Sequence, residues 1–131
     1  MATTLFPLYY IARRPHRRIL STSYNDDLAR TFAREVRNNA GEALISQAFP
    51  DFEFDPMATA ANDWLTTAGG AYYATGMGGA TAGRAANLLI TDDPIKAREE
   101  AESASYRNNR WSYYTSSLRF RMQPEIDGTP P

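Results

Sequence analysis

Asn87-Leu88-Leu89-Ile90-Thr91, followed at once by Asp92-Asp93-Pro94, is the stretch on which the fold turns. Three consecutive aliphatic residues between polar ends read as a short strand buried on both faces, which is how parallel strands look in sequence. Pro94 cannot continue a ladder, so the strand ends there and releases two adjacent carboxylates at its carboxyl end. Ligands on open α/β sheets gather beyond the carboxyl ends of strands, so Asp92 and Asp93 become the candidate chemistry. The same three residues also suit a plain turn that only terminates a strand.

Outward from this strand the chain alternates between helical and extended patterns. Leu5, Leu8 and Tyr9 fall at helical spacing, with Pro7 placed in a first turn, and Arg13, Arg14 and Pro15 close the segment. Arg18 to Ser23 (RILSTS) reads as a strand. Ser23 with Asp26 resembles a capping box opening a helix in which Leu28, Phe32 and Val36 recur every fourth residue, beside Ala29, Ala33 and Ala40 and opposite Arg30, Arg34 and Arg37; Gly41 closes it. Residues 42–61 carry a weak pattern between Pro50 and Pro56 and are read as loop with at most one short turn or strand. Trp64 to Thr67 and Tyr72 to Thr75, separated by Gly69 and Gly70, read as a β-hairpin. Helical signals return over Ile95 to Glu102 and from about Ser105 to Arg121, where Trp111, Tyr114 and Leu118 share a face. From Gln123 the chain is punctuated by Pro and Gly, and residues 125–131 are expected to be a flexible tail to a single domain over 1–124. This order of elements predicts an α/β fold with helices layered on a sheet.

Composition excludes several classes. With 131 residues and 43% hydrophobic content the chain can bury a core, and its net charge of −1 gives no general attraction to nucleic acid. The absence of cysteine removes disulfides and thiol chemistry. His16 is the only histidine, so a catalytic triad or multi-histidine metal site is unavailable. No apolar run approaches the roughly 20 residues that span a bilayer, and the arginines after Leu5–Ile11 are in the wrong place for a leader. Arg13, Arg14, Arg17 and Arg18 form a local basic cluster that reads as a hydrated turn, and the tyrosines read as packing groups.

Gly78 and Gly83 match the glycine spacing of a G-x-x-x-x-G-K-[ST] phosphate loop, but Arg84 stands for the lysine and Ala85 for the hydroxyl, and a strand follows where a helix is needed. Lys96 is the only lysine and no glycine lies just before it, so these residues contain no Walker A loop. The glycines are read as tight turns beside the sheet. An apolar strand delivering two acids has the form of Walker B, in which the first acid holds Mg²⁺ and the second polarises the attacking water.

Taken together, SYNDDLARTFAREVRN (23–38), GGAYYATGMGGATAGRAANLLITDDPIKAREEAES (69–103) and YRNNRWSYYTSSLRFRMQP (106–124) resemble the large terminase subunits of tailed phages and prophages. The resemblance implies a partial RecA-like three-layer sandwich of the P-loop NTPase type with an incomplete sheet, and a place in the bacterial host cytoplasm. It implies Mg²⁺ and ATP as cofactors, Asp92 as the metal ligand and Asp93 as the catalytic acid. Gly76 to Arg84 follow the family's G-x-G-G-x-x-x-G-R pattern. In the family, Walker A lies before the point matching Leu5, and a coupling motif and nuclease follow the point matching Pro124. The expectation is therefore a fragment of a DNA-packaging motor, inactive alone and contacting phage DNA only within the full motor. Its strand 88–90 would be an open edge, fit for self-association or for a partner terminase fragment. The alternative is a repurposed binding protein that docks through that edge.

Overall fold

The computed structural model describes residues 2–124; the expected tail over 125–131 lies outside the described residues. Helix α1 (Ala2–Arg13) leads to strand β1 (Arg18–Ser23), helix α2 (Asp26–Ala40) and the short helix α3 (Ala43–Ala48). Strands β2 (Phe54–Ala60), β3 (Asp63–Thr66), β4 (Ala71–Gly76) and β5 (Leu88–Thr91) follow. Helices α4 (Arg98–Glu102) and α5 (Ala104–Tyr113) come last, and α5 runs on into a π turn over Tyr114–Leu118 and a 3₁₀ turn over Arg119–Arg121.

The strands form one sheet in the order β2-β3-β4-β1-β5. β1 is parallel to both β4 and β5, while β2, β3 and β4 form an antiparallel meander. Alternation along the strands builds two cores. Ile19, Tyr72, Leu88 and Ile90 pack on one face with Ile11, Ala29, Ala33 and Val36 of α1 and α2. Leu20, Tyr73 and Leu89 pack on the other with Leu118, Tyr113 and Tyr114. The result is a mixed α/β fold with helical cover on both faces of the sheet. Phe54, Trp64 and Tyr72 extend the first core along the meander, Trp64 stacking on Tyr72 at 5.1 Å between centroids. No helix among the described residues is long and apolar enough to cross a membrane.

Several expectations need correction. Asn25, not Ser23, caps α2: its side chain accepts from the Leu28 N–H, because Ser23 is still in the strand with its side chain buried. The buried line of α2 is Ala29, Ala33, Val36 and Ala40, with Leu28 and Phe32 only half-buried beside it, since small residues let the helix sit close to the sheet. Pro7 lies beyond the first turn, because α1 begins at Ala2. Residues 42–61 hold both α3 and the edge strand β2. The expected helix over 105–121 loosens after Tyr113, so Leu118 is fully buried while Trp111, stacked on Tyr114, stays 66% exposed.

Candidate functional site

β1, β4 and β5 run in the same direction, so their carboxyl ends meet at one edge of the sheet. The chain is laced together there by backbone hydrogen bonds. Asp92 N–H donates to the Thr22 carbonyl (2.9 Å), Tyr24 N–H to the Asp93 carbonyl (2.9 Å) and Met77 N–H to the Ser23 carbonyl (2.7 Å). Asp92 and Asp93 stand outside any helix, beyond the end of β5, as the sequence predicts.

The two acids differ in setting. Asp92 is half-buried, and its carboxylate accepts a hydrogen bond from the hydroxyl of Thr3, in the first turn of α1. Asp93 is exposed and has φ 46°, the one non-glycine in the left-handed region among the described residues. That turn leaves Asp93 exposed while its carbonyl still accepts from the Tyr24 N–H.

Two further polar groups lie near the carboxyl ends of β1 and β4. Ser23, the last residue of β1, is fully buried and its hydroxyl has no hydrogen-bond partner. Asp26, in the first turn of α2, accepts from the Gly76 N–H (2.6 Å) and the Thr75 hydroxyl (3.1 Å). The Gly76 hydrogen bond, then that of Thr75, holds its carboxyl below the usual aspartate value, with Arg30 adding to the effect against a small desolvation cost. Asp26 therefore ties α2 to the exit of β4. A Cβ on Gly76 would stand 2.7 Å from the Asn25 carbonyl carbon, so this approach requires glycine.

The other sequence candidates lie elsewhere. Arg84 is bound to Asp63 and lies over Tyr73, on the face opposite α1 and α2. Gly78 (φ 96°) and Gly83 (φ 75°) make turns in the 76–84 loop, as read from sequence. Arg13, Arg14, Arg17 and Arg18 cluster around the amino end of β1, at the opposite end of the strand from Asp92, and His16 is exposed in the same turn.

Sequence reasoning missed Thr3 and Ser23. The signal for Thr3 was a pair of hydroxyls, Thr3 and Thr4, directly before the apolar run of α1; Ser23 was read as a cap although it closes a strand. Chemically this edge offers hard oxygen groups: the Asp92 carboxylate, the Thr3 hydroxyl bonded to it, and the exposed Asp93 one residue on. No group of three or more His, Cys, Asp or Glu side chains that could hold a metal is found among the described residues. A cation here would be held by few protein ligands and would keep several waters, which is the habit of Mg²⁺. No family model matches the chain, and no curated protein matches it.

Proposed function

We propose that the chain is the Walker B-bearing part of a RecA-like ATPase domain of the large terminase type, a component of a viral DNA-packaging motor in the bacterial cytoplasm. One observation carries the reading: the Thr3 hydroxyl, at the start of a helix, meets the carboxylate of Asp92, at the end of a parallel strand. In P-loop NTPases a Ser or Thr hydroxyl and a strand-end acid are the two side chains that share Mg²⁺. The order of elements supports it as well, with α1 packed over β1 and the acid-bearing β5 beside β1.

Thr3 and Asp92 would hold Mg²⁺, which would supply charge neutralisation on phosphate oxygens. Asp93 stands one residue on, exposed, where its carboxylate can accept a proton from a water. Nothing among these residues provides the lysine and backbone cradle that grip the β- and γ-phosphates. Positioning supplies most of the rate in phosphoryl transfer, so these 131 residues alone are expected to hydrolyse Mg²⁺-ATP negligibly. Contact with phage DNA belongs to the assembled motor.

The test has two arms. DNA on either side of the coding segment is expected to encode a glycine-lysine phosphate loop upstream and an acid-rich nuclease downstream; unrelated intact genes on both sides would overturn the reading. In the protein, Mn²⁺ used as a probe is expected to bind weakly and to lose its site in Asp92→Asn. ATP turnover by the isolated chain that disappears in Asp92→Ala would overturn the inactive-part reading.

A second reading, a binding protein that docks on a partner or a terminase through its sheet edge, is favoured by the position of β5. That strand is terminal in the sheet order among the described residues. Asp92 N–H and the Ile90 carbonyl face β1, so alternation leaves the N–H and C=O of Leu89 and Thr91 on the open side. An isolated position in the genome, with neither motor segment nearby, separates this reading from the first.

A further inference from the structure

We infer that the outward face of α1 and the turn after it form a docking surface for another protein, one that sets aliphatic or aromatic side chains beside carboxylates. Helical periodicity gives α1 two stripes. Leu8, Ile11 and Ala12 are buried in the core that α1 and α2 build on the sheet. Leu5, Tyr9 and Arg13 recur every fourth residue, with Phe6 next to Leu5, and form a second stripe turned away from that core. Leu5 is 49% exposed, Phe6 50% and Tyr9 53%. Single exposed apolar residues are ordinary on a protein surface, but these three are contiguous, and no charged residue interrupts the helix before Arg13.

The stripe runs into a shallow recess. The Tyr9 ring meets Phe49 edge-on, 6.3 Å between centroids. Ala48, Phe49 and Pro50 line an open hollow of about 400 Å³ together with Arg13 and Arg14, and Asp51 is the one acid among its described lining residues. Arg13, Arg14 and Arg18 are exposed and make no ion pair among the described residues. Arg17 lies over the Tyr10 ring and donates to its hydroxyl at 2.8 Å.

Charge decides what fits. Residues 1–25 contain four arginines and no Asp or Glu, although the whole chain carries a net −1. The helix dipole favours a cation in a last turn, which accounts for Arg13 but not for the three arginines that follow. An arginine fork pairs with a carboxylate, and arginine and aromatic residues together are the usual anchors of protein interfaces. A partner with apolar groups alone would desolvate Arg13 and Arg14 without pairing them, and a polyanion without apolar groups would leave Leu5, Phe6 and Tyr9 in water. A lipid surface fits less well, because a helix lying in a membrane gives its main apolar face to the acyl chains, and that face of α1 is buried in the protein's own core. The hollow beside Tyr9 has the form that receives an anchoring side chain.

The test uses the full chain as bait for a library of short random peptides displayed on yeast; the selected peptides are then synthesised and titrated by fluorescence anisotropy. Peptides that combine acids with an aromatic or aliphatic residue are expected to be selected. Their affinity is expected to fall about tenfold in Tyr9→Ser, at least as far in Arg13→Glu/Arg14→Glu, and to weaken as salt is raised. All three positions are exposed, so circular dichroism should remain native in both variants. Selected peptides without net negative charge, or affinities unchanged in both variants, overturn the inference. Loss of binding in Trp111→Ala alone overturns it too, since that places the contact in the groove beside β5. Phosphatidylglycerol vesicles that bind the chain when no peptide is selected overturn it in favour of a lipid surface. A chain that selects no peptide and binds no vesicle overturns it as well.

Discussion

Arg84 grips Asp63 with both arms of its guanidinium, Nη1 to Oδ1 at 2.9 Å and Nη2 to Oδ2 at 2.7 Å, while its plane lies 4.1 Å from the centre of the Tyr73 ring. The arginine that follows the glycine loop is therefore a clamp onto the β3–β4 hairpin, and it does not reach the acids after β5. Lysine can keep the charge but not the two-pronged geometry. The pair is partly exposed, with side chains 40% and 35% accessible, so solvent screens much of it. Arg84→Lys is expected to lower stability by about 0.5–1 kcal/mol, and Arg84→Ala, which also loses the ring contact, by about 1–2 kcal/mol. Urea unfolding monitored by circular dichroism measures both.

Asp26 makes stability depend on acid. Its folded-state pKa is lowered by the Gly76 N–H and the Thr75 hydroxyl, so its contribution is complete above the unfolded value near 4 and is lost as pH falls through the lower folded value. Asp26→Asn removes the charge and with it this dependence. The melting temperatures of wild type and variant are expected to differ by a few degrees at pH 6 and to converge as pH falls through the lowered folded value. A gap that stayed constant down to pH 2 would mean that the carboxylate's charge plays no part in holding α2 to β4.

Asp93 pays for its turn in backbone strain, since φ 46° suits glycine and, less well, Asp and Asn. Asp93→Asn is expected to leave stability within about 0.5 kcal/mol of wild type, because Asn tolerates the same conformation. Asp93→Val brings a β-branched side chain into the left-handed region and is expected to cost about 1–2 kcal/mol. Equal stabilities for the two variants would show that the turn relaxes when the side chain changes.

What was legible in the sequence followed from strong local patterns. β1 and β5 are short apolar runs with clear ends, the β3–β4 hairpin is marked by Gly69 and Gly70, and α2 repeats every fourth residue. β2 was hidden because Pro56 and Asp55 break its alternation, which an edge strand tolerates since one side of its backbone needs no partner. The end of α5 was misjudged because Tyr114–Leu118 widens into a π turn, a choice made by packing Leu118 under the sheet that no local propensity encodes. Asp92 and Asp93 could be picked out from their strand alone. Thr3 could not, since its contact with Asp92 depends on how α1 lies over the sheet and on the β1–β5 ladder between residues 69 apart in sequence.

The same ladder sets up the last expectation, concerning the free side of β5. At its amino end that side is covered, as Ala86 N–H donates to the Arg121 carbonyl and its own carbonyl accepts from Gln123 N–H, both at 2.8 Å. Past Ala86, the backbone groups of Leu89 and Thr91 face outward among the described residues, between half-buried aliphatic side chains. Beside them, Met77, Pro94, Ile95, Trp111 and Tyr114 line an open groove of about 400 Å³. An apolar strand edge of this kind pairs with another strand at high concentration. Light scattering of the 131-residue chain is expected to show mass rising with concentration. Thr91→Pro removes an outward N–H without taking a donor from the β1 ladder, so it should hold the chain monomeric while circular dichroism stays native. A wild-type chain that remains strictly monomeric at millimolar concentration would remove the support for docking through this edge, and a Thr91→Pro protein that associates as wild type does would place the contact elsewhere.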